Sequence, residues 1–242
     1  MSAFELASRM AKPIGDLPAN FMLDAGTYER GNELGFDGID FYVAGRGGVL
    51  GDVDASVVSA AFVFFNPAMI RQRWERGLDV MPPSRAALEF ASCLHSWSQS
   101  HLSEGPDFRR LAELAGRVVA AASVAGAPLF AGWRSLPEPE DGVSLALHHI
   151  NGLRELRGAL HGAAVLAQGL DPLIAILIRT PFMAPIFGWE EPYPDVELAK
   201  EAWCRAEAAT NVASARVLGA VLDDKEQDEM AELLEAVHSA VR

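Results

Sequence analysis

Apolar residues recur every three or four positions along nearly the whole chain, and that spacing commits it to helices. The strongest case lies in its second half. "LHHINGLRELRGALHG", Leu147 to Gly162, stands between the apolar runs "GRVVAAASVAGAPLF" and "AAVLAQGLDPLIAILI". It holds three of the six histidines, two arginines and a glutamate, in the region with the most buried-looking pattern. The repeated strand-helix alternation of a parallel sheet is absent. The expected fold is all-α, a multi-helix bundle.

Helix boundaries follow from caps and breakers. Asp24 is placed to cap "AGTYERGNELG", with Gly35 at its end. Phe36 to Asp54 carries five glycines, so its "IDFYVAG" alternation reads as an irregular loop or broken helix more readily than a strand. Asp54 is the expected cap of "ASVVSAAFVFF", which breaks at Asn66-Pro67, and a new helix starts at Pro67. Ser84 is the expected cap of the next helix, and "DFRRLAELAGRVVAAASVAG" forms another. A long helix from about Val143 to Gln168 ends at Gly169, and Asp171 caps "DPLIAILIRT". "PFMAPIFGWEEPYPD", with four prolines, is a loop, and acidic helices at about 195–218 and 223–241 close the chain. The division expected is an N-terminal helical region, 1–135, and a C-terminal one, 136–242, forming one compact unit.

At 242 residues, half of them apolar, the chain can bury a sizeable core without covalent staples. Its net charge of −13, with no basic run longer than Arg109-Arg110, makes nucleic acid and acidic membranes poor partners. No 18-residue apolar stretch predicts a membrane span. Cys93 and Cys204 lack metal spacing and read as free, buried thiols in a reducing cytoplasm. "MSAFELASRMAKPIGD" has no apolar run of the kind a secretory signal needs.

Advancing about 100° per residue along the long helix sorts its chemistry. Leu153, Leu156, Leu160, Ala163, Ala164 and Ala167 share a packing face, with His149 in its middle. Arg154, Arg157 and His161, at i, i+3 and i+7, form a stripe beside it. His148 and Glu155 share a third edge, and Gly158 and Gly162 leave room for a close neighbour. The bland reading is a hydrogen-bonded core histidine and arginines paired with acids. The functional reading is a site for an anion: guanidinium forks bind carboxylate or phosphate, and histidine titrates near neutrality. "GRGGVLG" lacks the order of a phosphate-binding loop. His95 and His101 fall on different helix faces, and neither HExxH nor CxxC occurs, so no metal site is expected.

Three passages resemble a known family. "DFYVAGRGGVLGDVDASVVSAAFVFFNPAMIR" is similar to its aromatic Y-x-A-x-R-x-x-x-x-G segment and F-x-P ending. "LRELRGALHGAAVLAQGLDPLIA" is similar to its L-R-E-x-R-G-x-x-H motif, and "AEAATNVASARVLGAVLDDKEQDEMAELLEAV" resembles its closing helices. The family is the mostly actinobacterial group described as SalK-like or as helix-turn-helix family proteins, some of them encoded in antibiotic gene clusters. The resemblance runs from about Phe21 onward and marks Tyr42, Arg46, Asn66, Pro67, Arg154, Glu155, Arg157, Gly158 and His161. It implies a C-terminal half related to a degenerate winged helix-turn-helix. The chain departs from that plan after "GLDPLIAILI", where "TPFMAPIFGWEEPYP" is too short and too proline-rich for a recognition helix and a wing.

The sequence therefore points to a cytoplasmic protein of bacterial specialised metabolism with a pocket for an anionic organic ligand, as enzyme or binding accessory. Arg46, Arg154 and Arg157 are the candidates to hold the anion, and Tyr42 to donate a hydrogen bond. His149 and His161 are the acid/base candidates, with Glu155 orienting a neighbour. Arg46 is expected near Arg154, Arg157 or His161. The alternative is a MarR-like transcription regulator. No motif specifies a cofactor, whether haem, flavin or metal, and the chain leaves room for a homodimer.

Overall fold

The structure is a computed structural model that describes residues 2–102 and 105–241. It contains twelve α-helices, α1 to α12, and no strand among the described residues. The first, α1 (Ala3–Met22), opens with a capping box between Ser2 and Glu5. That S-x-x-E pattern marks its start, but Pro13 and Pro18 lie inside it, so the sequence hides its extent. Each removes a backbone donor and strains the helix. Burial outweighs that: Leu6, Met10, Leu17 and Phe21 recur at helical spacing, and both prolines are themselves buried.

The next four helices are α2 (Ala25–Glu33), capped by Asp24, α3 (Asp40–Gly47), α4 (Ala55–Ala61) and α5 (Pro67–Val80). Phe36 to Asp54 is thus a broken helix, α3 followed by a 3-10 turn at Gly48–Leu50. Its glycines serve packing. A Cβ on Gly45 would stand 2.5 Å from the Phe90 Cβ, and one on Gly48 would meet the Pro83 carbonyl oxygen. Asp54 stands at the N-cap of α4 but its side chain makes no capping bond, and α4 is shorter than its apolar run, because the chain turns at Val63, whose φ is +22°. Asn66 caps α5 by accepting from the Ala68 N–H.

Then come α6 (Pro83–His101), α7 (Phe108–Ala121) and α8 (Pro128–Arg134). Ser84 does not cap α6. The helix starts two residues earlier than that cap implies, with Pro83 in its first turn, where a missing N–H costs nothing. The longest helix, α9 (Gly142–Ala167), is capped by Asp141, and α10 (Pro172–Arg179) by Asp171. α11 (Lys200–Gly219) and α12 (Asp224–Ala240) end the chain.

α9 is the axis of the molecule. It packs against α1, α6, α7, α8 and α11, so neighbours from both ends of the chain enclose it. α1 also lies along α11 and α12. A second small core, with Val58, Phe62, Ile70 and Trp74, joins α3, α4 and α5. A third, around Val165, Leu170, Ala175 and Ala206, seals the end of α9.

Enclosure changes the wheel reading of α9. Leu153 and Leu156 are buried and Leu160 is half-buried against the core, as the spacing predicts. Ala163 and Ala167, however, are exposed, while Gly162 and Val165 are buried. The neighbours change along the helix, so the packing face rotates toward α10 and α11. Leu156→Ala is expected to lower stability by roughly 2–5 kcal/mol. Urea unfolding checks this, and a loss under about 0.5 kcal/mol would show that the face does not carry the core. The cysteines are both free, but Cys204 is exposed, not buried.

Candidate functional site

Arg46 of α3 reaches Glu155 of α9 through its long side chain. The Arg46 Nε and Nη2 donate to the two Glu155 carboxylate oxygens at 2.9 and 2.8 Å, a forked pair. Arg46 Nη1 donates to the Tyr42 hydroxyl at 3.2 Å, and its guanidinium lies 4.6 Å from the Phe62 ring centre. Arg154 Nη1 adds a third bond to Glu155 at 2.8 Å. The Glu155 side chain is 2% exposed. Burial alone would raise its carboxyl; the Arg46 charge and hydrogen bonds, joined by Arg154, outweigh that and hold it below the ordinary value.

Above this pair opens a cleft of about 220 Å³. Tyr42, Arg46, Arg154, Glu155, Arg157 and His161 all line it, so residues 109 positions apart share one cavity. The expected proximity of Arg46 to the α9 stripe is met. Three guanidinium groups and one carboxylate face the cleft, a cationic surplus on a chain of net charge −13. The opposite wall is aromatic: Phe62, Phe64, Phe65 and Phe187, with Phe65 and Phe187 rings 4.0 Å apart. Val63 lies in that wall, and Gly162 lets it approach α9: a Cβ there would stand 3.1 Å from Val63. A β-branched residue with positive φ is strained, and such strain concentrates at binding sites.

Arg157 and His161 turn toward α11. Arg157 Nη2 donates to Asn211 Oδ1 at 3.2 Å and to Glu207 Oε2 at 3.4 Å, while its Nε is buried without a partner. His161 Nδ1 lies 3.1 Å from Thr210 Oγ1 and 3.2 Å from Glu207 Oε1. Its ring stacks on Phe64 at 5.4 Å. Burial pushes the imidazole down to about 4, more than the Glu207 carboxylate raises it, so the ring is neutral at pH 7.

His149 does not join them. It sits on another side of α9, against α7, where Gly116 has no side chain to block it. Its Nδ1–H donates to the Ala112 carbonyl at 3.1 Å. Burial pushes it down to about 4, and Glu138, 3.2 Å from Nε2, is exposed enough to turn to water. Of the two acid/base candidates, only His161 lines the cleft; His149 lies elsewhere, buried against α7. Arg46 also differs from its expected part, since its fork is turned to Glu155.

The aromatic wall and the α11 residues Glu207, Thr210 and Asn211 escaped the sequence reading. Their signal is faint. Thr210 and Asn211 are buried polar residues in an alanine-rich helix, and "FVFFNP" reads as core. One ExxH spacing, Glu235 to His238, does occur, but those side chains pair with Arg9 and Asp16.

Residues 7–242 match the pattern of the helix-turn-helix family. The chain belongs to that family. No curated protein and no solved structure matches it. In this helix-turn-helix family member, α9 and α10 meet at 112° across four residues. Gly169, at φ +69°, makes the turn. Both α10 faces are apolar except for Arg179, and no strand follows it among the described residues. No single helix among them is long and apolar enough to cross a membrane.

Proposed function

We propose that the cleft lined by α1, α3, α9 and the Ala61–Phe65 segment binds a small organic anion. The observation that carries this reading is the gathering of three arginines, one carboxylate and an aromatic wall around one cavity. Arg154 and Arg157 hold the anion, because Arg46 commits all three nitrogens to Glu155 and Tyr42, whereas among the described residues Arg154 gives only Nη1 and Arg157 only Nη2 to protein partners. Tyr42 supplies a hydrogen bond and the phenylalanines cover an apolar or aromatic body. The cleft is smaller than the about 300–1,000 Å³ of drug-sized pockets, which suits a compact ligand. The resemblance to SalK-like proteins supports a role in bacterial specialised metabolism, in the cytoplasm, as an enzyme or a binding accessory.

A second reading, a transcription regulator related to the winged helix-turn-helix class, draws on the family and on the α9–α10 turn. The acidic balance, the apolar α10 and the proline-rich segment after it weigh against DNA. Thermal unfolding with benzoate and other aryl carboxylates separates the two. A rise in Tm is expected with the wild type, and a smaller one with Arg154→Lys, since an ammonium can keep an ion pair with Glu155 but cannot replace a fork. Nanomolar, sequence-dependent and salt-sensitive DNA binding, with no response to any anion, would establish the regulator instead.

A further inference from the structure

We propose that Glu207 and Thr210 hold His161 as a proton acceptor facing the cleft, so that the ligand is an anion with a neutral hydroxyl, a hydroxy acid. This rests on the anion-binding reading above and adds the second recognition element.

The argument begins with the tautomer. Thr210 Oγ1 lies 2.8 Å from the Ala206 carbonyl, one helical turn back, and donates its hydrogen there. It is then left to accept from His161 Nδ1. The alternative has the hydroxyl donate to a bare Nδ1. That would set the nitrogen lone pair 3.2 Å from Glu207 Oε1, two acceptors face to face. Glu207 Oε1 is buried with no hydrogen-bond partner, so no other donor relieves that repulsion. A hydrogen on Nδ1 relieves it and satisfies Thr210 together. In the neutral ring, Nε2 then carries the lone pair.

Nε2 has no hydrogen-bond partner among the described residues, and the histidine lines the cleft. The Phe64 stack fixes the ring plane. A lone pair aimed at a ligand calls for a donor on that ligand. An ammonium is disfavoured by the three guanidinium groups that line the cavity. A hydroxyl is neutral and meets no such repulsion. If it ionises, the O–H electron pair stays on its oxygen and the proton passes to Nε2. The resulting imidazolium faces the Glu207 carboxylate through Nδ1–H, the arrangement of a base with an orienting acid. Arg157 and Arg179 oppose charge on the ring, so the imidazolium is a transient state.

Two measurements on the full chain test this. Long-range proton–nitrogen spectra of the 15N-labelled protein at pH 7 should show His161 with Nδ1 protonated and Nε2 bare. Glu207→Gln should weaken that preference, because an amide can donate to a bare Nδ1. Titration should then compare benzoate with its three hydroxybenzoate isomers. At least one isomer should bind roughly tenfold more tightly than benzoate, about the value of one hydrogen bond. Thr210→Val and Glu207→Gln should shrink that ratio to under about threefold, which a purely structural role would not do. An Nε2–H tautomer overturns the proposal. So does benzoate binding with no hydroxyl preference in any isomer. The bare Nε2 signature with no binding of any benzoate overturns the anion reading, and the proposed ligand class with it.

Discussion

Acidification from pH 7 to pH 4 destabilises this protein by several kcal/mol, through histidines that the core accepts only in neutral form. Burial pushes His149 down to about 4 and His148 to about 3, the latter helped by the neighbouring His95 and His149. His148 is 3% exposed and His149 is 7% exposed, so solvent screens neither appreciably. Above pH 6.5 both are neutral, folded or unfolded, and contribute no pH dependence. Between pH 6.5 and about 4 the unfolded chain takes up protons that the folded core refuses. Stability therefore falls as pH falls, and the slope levels off below about 3. His149 alone accounts for a loss on the order of 3 kcal/mol. His148 adds a comparable amount, and the depressed Glu155 extends the loss into stronger acid. Urea midpoints at half-unit steps from pH 7.5 to 4 measure this, and His149→Leu should flatten the slope by about one proton. A midpoint that holds constant from pH 7 to 5 would refute it.

Removing one charge from the site has the second large effect. Glu155→Gln leaves the Arg46 guanidinium, whose side chain is 13% exposed, without its countercharge. It also frees Arg154, so two like charges then face each other. Breaking a buried pair from one side costs roughly 3–5 kcal/mol. In a chain of this size that corresponds to a fall in Tm of roughly 6–20 °C. Arg46→Met combined with Glu155→Leu should recover most of the loss, because the penalty lies in the orphaned charge and not in the absent attraction. Thermal unfolding of the wild type and the two variants decides it. If the single and double variants melt together, the pair is not a coupled unit.

The helices were legible where a cap and a period agreed. Asp24 and Asp171 each sit where sequence places them and accept a backbone N–H. α1 was not legible, because two prolines argue locally against a helix that only tertiary burial sustains. The stripe on α9 was legible because i, i+3 and i+7 is a property of one helix. Its partners were not. Nothing local tells that Arg46 would spend its fork on Glu155, or that an alanine-rich helix at the end of the chain would bring Glu207 and Thr210 to His161. His149 shows the same limit in reverse. Its place on the wheel was right, yet whether a histidine on a packing face meets a cavity or a glycine is decided by the helix opposite, here Gly116 of α7.

The meeting of α1 with α11 and α12 has a consequence during synthesis. The first helix presents Leu6, Met10, Leu17 and Phe21 along one side, and the surface that covers them comes partly from α11 and α12, which are made long after it. A nascent chain therefore carries part of that oily ridge uncovered until α11 and α12 emerge. Ribosome-bound chaperones are the natural guardians of such an interval. A copy truncated before α11 would keep the ridge exposed and become a target for proteases.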